Sequence, residues 1–353
     1  MNPPDILSPR EAVRHIDPYV PPTGERSGGL RLDFNENTVG CSPLVLESLR
    51  AALDASTLSM YPAYGEARQE LARFFCVPPG ELLLTNGTDE AIQVVVNTYV
   101  ADRDEVVLLR PSYAMYRFYC QGAGAAVREV AYRLPDLAFP LEELLRTIGP
   151  STRAVLIANP NNPTGTGLEL DGIEELLKAA AHAAVLIDEA YFEFCGVTTL
   201  PLLSRYPNLF VSRTFSKAYG LAALRVGCLF SRPENIACLQ RVQSPYSVNA
   251  LAAAAACAAT RDRTYLREYV AEVLRARDLL CRGLDALRIP YFPSRANFVL
   301  MDVGPRARDL RDRLREQGVL VRDRSYELPG CLRVTAGSEA QMSCFIARLK
   351  SLW

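Results

Sequence analysis

The chain has 353 residues, of which 49% are apolar and 22% charged, and its 39 basic side chains nearly balance 40 acidic ones. A chain of this length buries about three quarters of its unfolded surface, so a globular enzyme of one or two domains is expected. The formal net charge of -1 excludes the broad basic field that attracts nucleic acid or anionic membranes, and neither partner is predicted.

The uneven use of basic residues singles out a few primary amines. All but three of the 39 basic residues are arginine, and the lysines are Lys178, Lys217 and Lys350. The two histidines, His15 and His182, leave little room for a histidine metal site or for a Ser-His-Asp triad. A lysine kept in a chain that otherwise uses arginine is therefore a candidate for amine chemistry.

The cysteines and the N-terminal segment indicate the compartment. The ten cysteines are scattered from Cys41 to Cys344 without a C-x-x-C pair, so neither a zinc cluster nor a thioredoxin motif is present and no metal site is predicted. The segment MNPPDILSPREAV has neither the basic nor the apolar region of an export signal. We expect a cytoplasmic protein with reduced thiols.

The predicted elements follow a stretch rich in proline and glycine at residues 18–29, which is typical of an N-terminal arm. Short apolar runs then alternate with helical segments, at residues 82–85, 105–109, 153–158, 184–188 and 209–212. This alternation predicts a mostly parallel sheet covered by helices. The alanine-rich run at residues 250–259 is too short to span a bilayer and predicts a buried helix.

The last third of the chain has a different pattern. A long charged helix is predicted at residues 264–287, followed by a strand, a helix and two strands at 297–303, 306–317, 319–321 and 332–334, and by a closing helix from Ser338. The fold class is therefore α/β with two domains. We predict an N-terminal arm over residues 1–38 that packs with the small domain, a large domain over 39–262 and a smaller C-terminal α/β domain over 263–353.

Polar residues follow the predicted strands, at the edge where an open α/β sheet binds its ligands. After residues 82–85 comes NGTDEAI, whose glycine turn opens a helix with N–H groups suited to a phosphate. A plain helix capped by Thr88 or Asp89 explains that pattern equally well. After residues 153–158, the prolines and glycine of NPNNPTG predict a rigid turn that fixes Asn162. Asp188 ends the next strand, where a buried carboxylate needs a partner or a function.

Lys217 follows the strand at residues 209–212, in the sequence SRTFSKAYG. Lys178 and Lys350 occupy helical positions where a solvated face explains them, but no such face explains Lys217. A primary amine forms a Schiff base, which a guanidinium cannot do, so Lys217 is predicted to be a nucleophile and proton carrier. Arg225, in GLAALRVGC, is a candidate partner for a nearby anionic group.

In their order, these motifs resemble those of the fold-type-I, pyridoxal-phosphate-dependent aminotransferases, most closely the histidinol-phosphate aminotransferases. The resemblance runs from about Pro18 to the end and is carried by LDFNEN, MYPAYG, PSYAMY, NPNNPTG, DEAY, TFSKAYGLAALRVG, PYSVNALA, VRDRS and CLRVTAG. It implies a three-layer fold, with the cofactor bound by the large domain. Ala223 and Ser247 depart from the subgroup, in which glycine and asparagine are frequent at these positions.

The resemblance also implies a role for each candidate residue. Lys217 would carry pyridoxal 5'-phosphate as a Schiff base and move a proton, and Asp188 would keep the pyridine nitrogen protonated. The other cofactor contacts would be made to the ring by Asn162, Tyr191 and Tyr113, and to the phosphate by Gly87, Thr88, Asp89, Thr214, Ser216 and Arg225. Tyr61 would reach the phosphate from a second subunit, which implies a homodimer.

The implied reaction transfers the amino group of L-histidinol phosphate to 2-oxoglutarate, giving imidazole-acetol phosphate and glutamate, in histidine biosynthesis. The partners would be a small-molecule amino donor and a 2-oxo acid. Arg333 and Arg322 would bind the anionic end of the substrate, and Tyr19 and Asn35 are further candidates for its pocket.

Three alternatives stay open at this point. Two are relatives with the same cofactor site: an aromatic amino acid aminotransferase, and a threonine-phosphate decarboxylase, which PYSVNALA also resembles. The third is an effector-sensing domain of a DNA-binding regulator. The intact lysine and the lack of a helix-turn-helix segment before Pro18 argue against this regulator.

Overall fold

The structure is a computed structural model that describes residues 7–14, 16, 18, 26 and 28–353. Within these residues the chain forms a seven-stranded and a five-stranded sheet, with helices packed against both. None of the described helices combines the length and the apolar character needed to cross a membrane. The candidate residue Tyr19 lies outside the described residues.

Helices and strands alternate along much of the described chain. The helices are α1 (Glu11–Arg14), α2 (Pro43–Ala52), α3 (Ala55–Ser59), α4 (Gly65–Phe75), α5 (Gly87–Tyr99), α6 (Ala114–Ala123), α7 (Leu141–Thr147), α8 (Leu170–Ala179), α9 (Phe192–Cys195), α10 (Pro233–Leu239), α11 (Ala250–Arg261), α12 (Arg263–Ala286), α13 (Ala307–Glu316) and α14 (Glu339–Leu352). The strands are β1 (Leu30–Leu32), β2 (Leu82–Thr85), β3 (Glu105–Arg110), β4 (Ala126–Ala131), β5 (Thr152–Ala158), β6 (Ala184–Asp188), β7 (Leu209–Thr214), β8 (Gly227–Phe230), β9 (Tyr291–Phe292), β10 (Phe298–Asp302), β11 (Val319–Asp323) and β12 (Cys331–Thr335).

The seven-stranded sheet has the order β2-β8-β7-β6-β5-β3-β4. The pairs from β7 to β4 are parallel, and β8 is antiparallel to both of its neighbours. The predicted mostly parallel sheet is therefore confirmed. Because β5, β6 and β7 run in one direction, the residues that follow them meet at one edge, where Asp188 pairs in register with Ser212.

Both faces of this sheet are buried, which produces three layers. On β3, Val107 and Leu109 belong to one apolar cluster, and Val106 and Leu108 belong to the cluster on the opposite face. This separation follows from the alternation of side chains along a strand. Helices α5, α6 and α10 contribute to one cluster, whereas α4, α8 and α11 contribute to the other.

The five-stranded sheet has the order β1-β11-β12-β10-β9. Its strand β1 pairs in parallel with β11, so a segment from the N-terminal part of the chain extends a sheet made by the C-terminal part. On β12, Leu332 and Val334 pack in a cluster with α12, α13 and α14. Arg333 lies between them in sequence and therefore points to the other face, toward the seven-stranded sheet.

The predicted elements agree with the structure, apart from strands with weak sequence signals. All five runs predicted before residue 213 are strands, and the helices predicted at residues 250–259, 264–287 and 306–317 are α11, α12 and α13. The sequence did not indicate β1, β4, β8 or β9. Strand β4 is a half-exposed edge strand that contains Arg128 and Glu129, and β1 and β9 have only three and two residues. Strand β8 has the sequence GCLF, which begins with glycine and lacks β-branched residues. The domain boundaries at residues 38 and 262 stay a prediction.

Candidate active site

A cavity of about 330 Å³ lies at the carboxyl edge of the seven-stranded sheet and reaches the five-stranded sheet. Its walls bring together residues that are distant in sequence. Of the predicted site residues, those lining it are Asn35, Thr88, Asp89, Tyr113, Asn162, Asp188, Tyr191, Thr214, Ser216, Lys217, Arg225, Arg322 and Arg333. A cavity of this size fits a small molecule with a ring and a phosphate.

Lys217 points its amine into this cavity. The Nζ atom donates a hydrogen bond of 3.0 Å to the carbonyl oxygen of Phe34. Burial is the largest cause that lowers the pKa of the Lys217 amine, from 10.5 to about 8, and repulsion by the Arg333 guanidinium adds to it. An appreciable fraction of the amine is therefore uncharged at neutral pH, and an uncharged amine is the nucleophilic form.

Asp188 is a buried carboxylate held by two hydroxyl groups. Its two oxygens accept hydrogen bonds of 2.8 Å from the Tyr116 hydroxyl and 2.9 Å from Ser212 Oγ. Burial raises the pKa of Asp188 to about 6, and these two hydrogen bonds oppose the rise. Such a carboxylate is suited to pair with a cation, such as a protonated ring nitrogen, inside the cavity.

Asn35 links Tyr191 to the five-stranded sheet. Asn35 Nδ2 donates a hydrogen bond of 2.9 Å to the Tyr191 hydroxyl, and the Asn35 carbonyl accepts one of 3.1 Å from Asn297 Nδ2. Burial raises the pKa of the Tyr191 hydroxyl, so this group stays protonated at neutral pH. The Tyr191 hydroxyl can therefore donate a hydrogen bond to a ligand oxygen.

Arg333 connects the two sheets. One of its Nη atoms donates to Asn162 Oδ1, in the NPNNPTG turn, and the other donates at 2.6 Å to the Asp33 carbonyl oxygen. Arg333 lies directly opposite Arg322 in the register of β11 and β12, so the two guanidinium groups stand side by side at the cavity. Two adjacent guanidinium groups form a site for an anionic substrate group.

The N-terminus of α5 and Arg225 form the other polar end of the cavity. The N-cap residue of α5, Asn86, makes no side-chain capping hydrogen bond among the described residues. Asp89 instead accepts hydrogen bonds of 2.8 Å from the Tyr113 hydroxyl and 3.0 Å from Arg225 Nη2. The alternative in which Thr88 or Asp89 caps this helix is therefore wrong, and first-turn N–H groups are available for an anion.

The backbone conformation of Gly87, next to Arg225, favours glycine. Gly87 has a φ of 71°, and a Cβ atom added to it would lie 2.7 Å from Arg225 Nη2. Ser216 completes this end, since its Oγ accepts from Arg225 Nη1 at 3.5 Å and its backbone N–H donates to Thr214 Oγ1 at 3.1 Å. Hydroxyl groups, the Arg225 guanidinium and the N-terminus of α5 thus lie together at this end, and groups of this kind bind phosphate.

Tyr61 is a predicted site residue that is not among the residues lining the cavity in the described part of the chain. Its side chain is 79% exposed and stacks on the exposed ring of Tyr246 at 4.4 Å between centroids. A contact of Tyr61 with a site in its own chain is therefore not observed. A role for Tyr61 in a neighbouring subunit stays a prediction.

The sequence did not indicate several residues that support the site. Tyr116 and Ser212 hold Asp188, and the Phe34 carbonyl holds Lys217. Tyr116 lies three residues after Tyr113, on the same side of α6, and this spacing is a signal that could have identified it. Arg324 also lines the cavity and lies two residues after Arg322.

Comparisons with known proteins agree with this geometry. The model of the family described as aminotransferase class I and II matches residues 27–349. Histidinol-phosphate aminotransferase 2 of Pseudomonas fluorescens (strain Pf0-1) is 38% identical over 358 residues, which cover 96% of each chain.

Solved structures share the fold over most of the chain. The crystal structure of histidinol-phosphate aminotransferase from Sinorhizobium meliloti, in complex with pyridoxal-5'-phosphate, has a TM-score of 0.84 and 28% identity, covering 92% of both chains. A double mutant of Thermus thermophilus aspartate aminotransferase has a TM-score of 0.81 and 27% identity, also covering 92% of both chains. Enzymes named for different substrates thus share this fold, so the residues of the site and not the fold determine the substrate.

Proposed function

Since the chain belongs to the class I and II aminotransferase family, we propose that it transfers the amino group of L-histidinol phosphate to 2-oxoglutarate, in histidine biosynthesis. The observation that carries this proposal is a single cavity lined by Lys217 and Asp188 and by the neighbouring Arg322 and Arg333. The identity of 38% to a histidinol-phosphate aminotransferase over nearly the whole chain supports it.

The residues of the cavity fit pyridoxal 5'-phosphate as the cofactor. When bound, pyridoxal phosphate supplies a carbonyl that takes up the amino group and a pyridinium ring that withdraws electrons from the substrate Cα. The Lys217 amine suits the carbonyl, the buried Asp188 carboxylate suits a protonated ring nitrogen, and Arg225 suits the phosphate. Gly87, with a φ of 71° that favours glycine, begins α5 next to the Arg225 guanidinium.

The remaining polar residues would orient the cofactor. Asn162 and Tyr191 would contact its phenolic oxygen, and the Tyr113 ring, fixed through its hydroxyl by Asp89, would lie against the cofactor ring. Thr88, Thr214 and Ser216 would join Arg225 around the phosphate, with Asp89 keeping the Arg225 guanidinium in position.

Lys217 and the two arginines would carry out the substrate steps. Arg322 and Arg333 would bind the anionic end of the amino donor and orient its Cα toward Lys217 Nζ. Lys217 Nζ, with its lowered pKa, would then accept the proton from the substrate Cα and deliver it to the carbon atom that belonged to the cofactor carbonyl. Phe34, whose carbonyl accepts a hydrogen bond from Nζ, would hold the amine in place.

The proposal is tested by a half-reaction without the oxo acid. The cofactor-loaded protein is mixed separately with histidinol phosphate, phenylalanine and threonine phosphate, and its visible absorption band is followed. We expect rapid loss of the band with histidinol phosphate and little change with the other two. Loss of the band with phenylalanine alone, or release of carbon dioxide from threonine phosphate, would contradict the proposed substrate and favour the corresponding relative.

Ser247 stands where asparagine is frequent in the subgroup, but this difference is compatible with histidinol phosphate as the substrate. Its Oγ donates a hydrogen bond of 2.8 Å to Glu90 Oε2, and the described walls of the cavity do not include Ser247. Ala223 is also absent from those walls. Neither departure therefore removes a group that would touch the substrate.

The lowered pKa of Lys217 predicts the pH dependence of cofactor loading. The amine is reactive when uncharged, so the loading rate of the cofactor-free protein should rise about tenfold per pH unit below pH 8 and level off above it. The measurement is the appearance of the visible band after addition of pyridoxal phosphate, in a Lys178→Arg, Lys350→Arg background that leaves Lys217 as the single lysine. A midpoint near pH 10 would contradict the lowered pKa.

We also propose that the enzyme is a homodimer in which Tyr61 reaches the cofactor phosphate of the partner. The support is the exposure of Tyr61 and Tyr246, together with exposed apolar side chains of the same region at Leu53, Leu58 and Met60. Large exposed apolar patches commonly mark an interface. A closed two-fold contact would bury the same patch on both copies.

Mixing of inactive subunits tests the position of Tyr61. The Lys217→Ala and Tyr61→Ala proteins are mixed and allowed to exchange subunits, and activity is assayed at a cofactor concentration too low for the Tyr61→Ala protein alone to be active. We expect the mixture to recover about a quarter of the wild-type activity. Half of the re-associated dimers are then mixed, and each mixed dimer has one intact site that combines Lys217 of one chain with Tyr61 of the other. If Tyr61 served its own chain, no mixed site would be intact and no activity would return.

We further propose the domain boundaries at residues 38 and 262, and a cytoplasmic location. The pairing of β1 with β11 supports an arm that packs with the small domain. All ten cysteines are free, which is compatible with a reducing compartment.

A further inference from the structure

A third arginine, Arg324, lies with Arg322 and Arg333 at the cationic end of the cavity and has no part in the function proposed above. It follows β11, and its backbone N–H donates a hydrogen bond of 3.0 Å to the Cys331 carbonyl oxygen, which continues the pairing with β12. Because side chains alternate along an extended segment, Arg324 and Arg322 lie on the same side. Both line the cavity together with Arg333.

The hydrogen bonds of these arginines are incomplete. Arg324 is buried and donates through Nη2 to Glu327 Oε2, but its Nε–H finds no acceptor among the described residues. The buried Nε–H of Arg333 likewise has no acceptor within the described part of the chain. Buried guanidinium N–H groups without acceptors are costly, so this end of the cavity suits a ligand with several acceptor oxygens.

The charges at this end do not balance without a ligand. Glu327 is a largely buried carboxylate: burial raises its pKa, and Arg324, Arg322 and Arg333 oppose this rise. Burial lowers the pKa of Arg333 to about 10, and repulsion by Arg324 and Arg322 adds to it. Glu36 also lines the cavity, but its carboxylate is paired with Arg26 at 2.8 Å. Among the described residues, three guanidinium groups then face the one carboxylate of Glu327, which leaves an excess of two positive charges. A phosphate monoester carries nearly two negative charges at neutral pH, whereas a carboxylate carries one.

We propose that Arg324, restrained by Glu327, is a specificity-determining residue that makes the cavity prefer an amino donor ending in a phosphate monoester over one ending in a carboxylate. This inference rests on the proposed function, and it assigns the substrate selectivity of the enzyme to the ion pair of Arg324 and Glu327. Arg322 and Arg333 suffice for the carboxylate of the second substrate, and Arg324 adds the charge that a dianion requires. Glu327 limits the excess charge, so that a carboxylate is bound weakly enough to be released.

The test compares Arg324→Gln and Glu327→Gln in the cofactor-loaded enzyme. Titration calorimetry measures the binding of inorganic phosphate, and half-reaction rates give kcat/KM for histidinol phosphate and for glutamate, an amino donor that ends in a carboxylate. Arg324→Gln should weaken phosphate binding, and lower the ratio of the two kcat/KM values, by about 10- to 100-fold, as expected for a lost charged hydrogen bond. Glu327→Gln should tighten phosphate binding by about two- to fivefold.

Arg313→Gln is the matched control, because Arg313 lies on α13 with a half-exposed side chain 3.9 Å from Asp309. It should leave both readouts at the wild-type value. The inference is overturned if Arg324→Gln binds phosphate as the wild type does, or if it lowers kcat/KM equally for both donors, as a structural role would. If the wild type fails to use histidinol phosphate but Arg324→Gln still weakens phosphate binding, the proposed substrate is wrong while the role of Arg324 stands.

Discussion

Replacement of Lys217 by arginine is expected to lower kcat by at least about 10⁴-fold, the upper end of what a positioned acid–base group contributes. Arginine keeps the positive charge and nearly the length of lysine, but a guanidinium does not condense with a carbonyl and stays protonated at neutral pH. The variant should therefore also lack the visible band of the cofactor-loaded enzyme. The measurements are the steady-state rate with histidinol phosphate and 2-oxoglutarate, and the absorption spectrum after pyridoxal phosphate is added.

The chain offers matched controls for this prediction in its two other lysines. Lys178 lies on α8 with a side chain that is 65% exposed, 3.9 Å from Glu174, and Lys350 is exposed on the last helix. Replacing either by arginine should leave the rate and the spectrum unchanged. A Lys217→Arg protein that kept its rate would show that the amine is not required, and the proposed chemistry would fail.

Replacement of Arg213 by methionine is expected to lower the free energy of unfolding by about 3–5 kcal/mol, as when one partner of a buried ion pair is removed. Arg213, on β7, has a buried guanidinium whose Nε donates to Glu189 Oε2 at 2.8 Å and whose Nη1 lies 3.8 Å from Glu193 Oε1. It also lies 3.5 Å from the Phe192 ring centroid. Without Arg213, two buried carboxylates lose their cation.

The pH dependence of this loss has a defined sign. Burial raises the pKa of Glu193 to about 7, and Arg213 opposes that rise. A carboxyl whose folded pKa exceeds its unfolded value binds its proton more tightly in the folded state, so stability falls as the pH rises above the unfolded pKa. The Arg213→Met variant should therefore lose more stability at pH 8 than at pH 6, as measured by urea unfolding.

Arg205→Met is the control for Arg213. Arg205 makes two hydrogen bonds to Glu174, at 2.9 and 2.8 Å, but its side chain is 58% exposed. An exposed pair of this kind contributes about 1 kcal/mol or less. Equal losses in the two variants would mean that the buried position of Arg213 has no special effect on stability.

Much of the fold and of the site could be predicted because their signals are local. Alternating apolar runs and helical segments report the strand and helix periods directly, so β2, β3, β5, β6 and β7 were predicted from sequence. Residues after parallel strands meet at one sheet edge whatever the rest of the chain does. Asn162, Asp188 and Lys217 each follow such a strand, and their meeting in one cavity was therefore predictable.

The partners of these residues were not predictable, because they come from distant segments. The Phe34 carbonyl that binds Lys217 Nζ is 183 residues away in sequence, and the Asn162 side chain that binds Arg333 is 171 residues away. Asp89 illustrates the same limit: its place in the first turn of α5 suggested a cap, but Tyr113 and Arg225, brought close by the fold, bind its carboxylate instead.

The sequence by itself thus determined the α/β class, the position of Lys217 and Asp188 at strand ends, and the excess of arginine. Only the tertiary structure decided how deeply those groups are buried and which groups face them, and these two quantities set the pKa of Lys217 and the charge balance around Arg324. The physical reason is that periodicity depends on neighbours along the chain, whereas desolvation and pairing depend on neighbours in space.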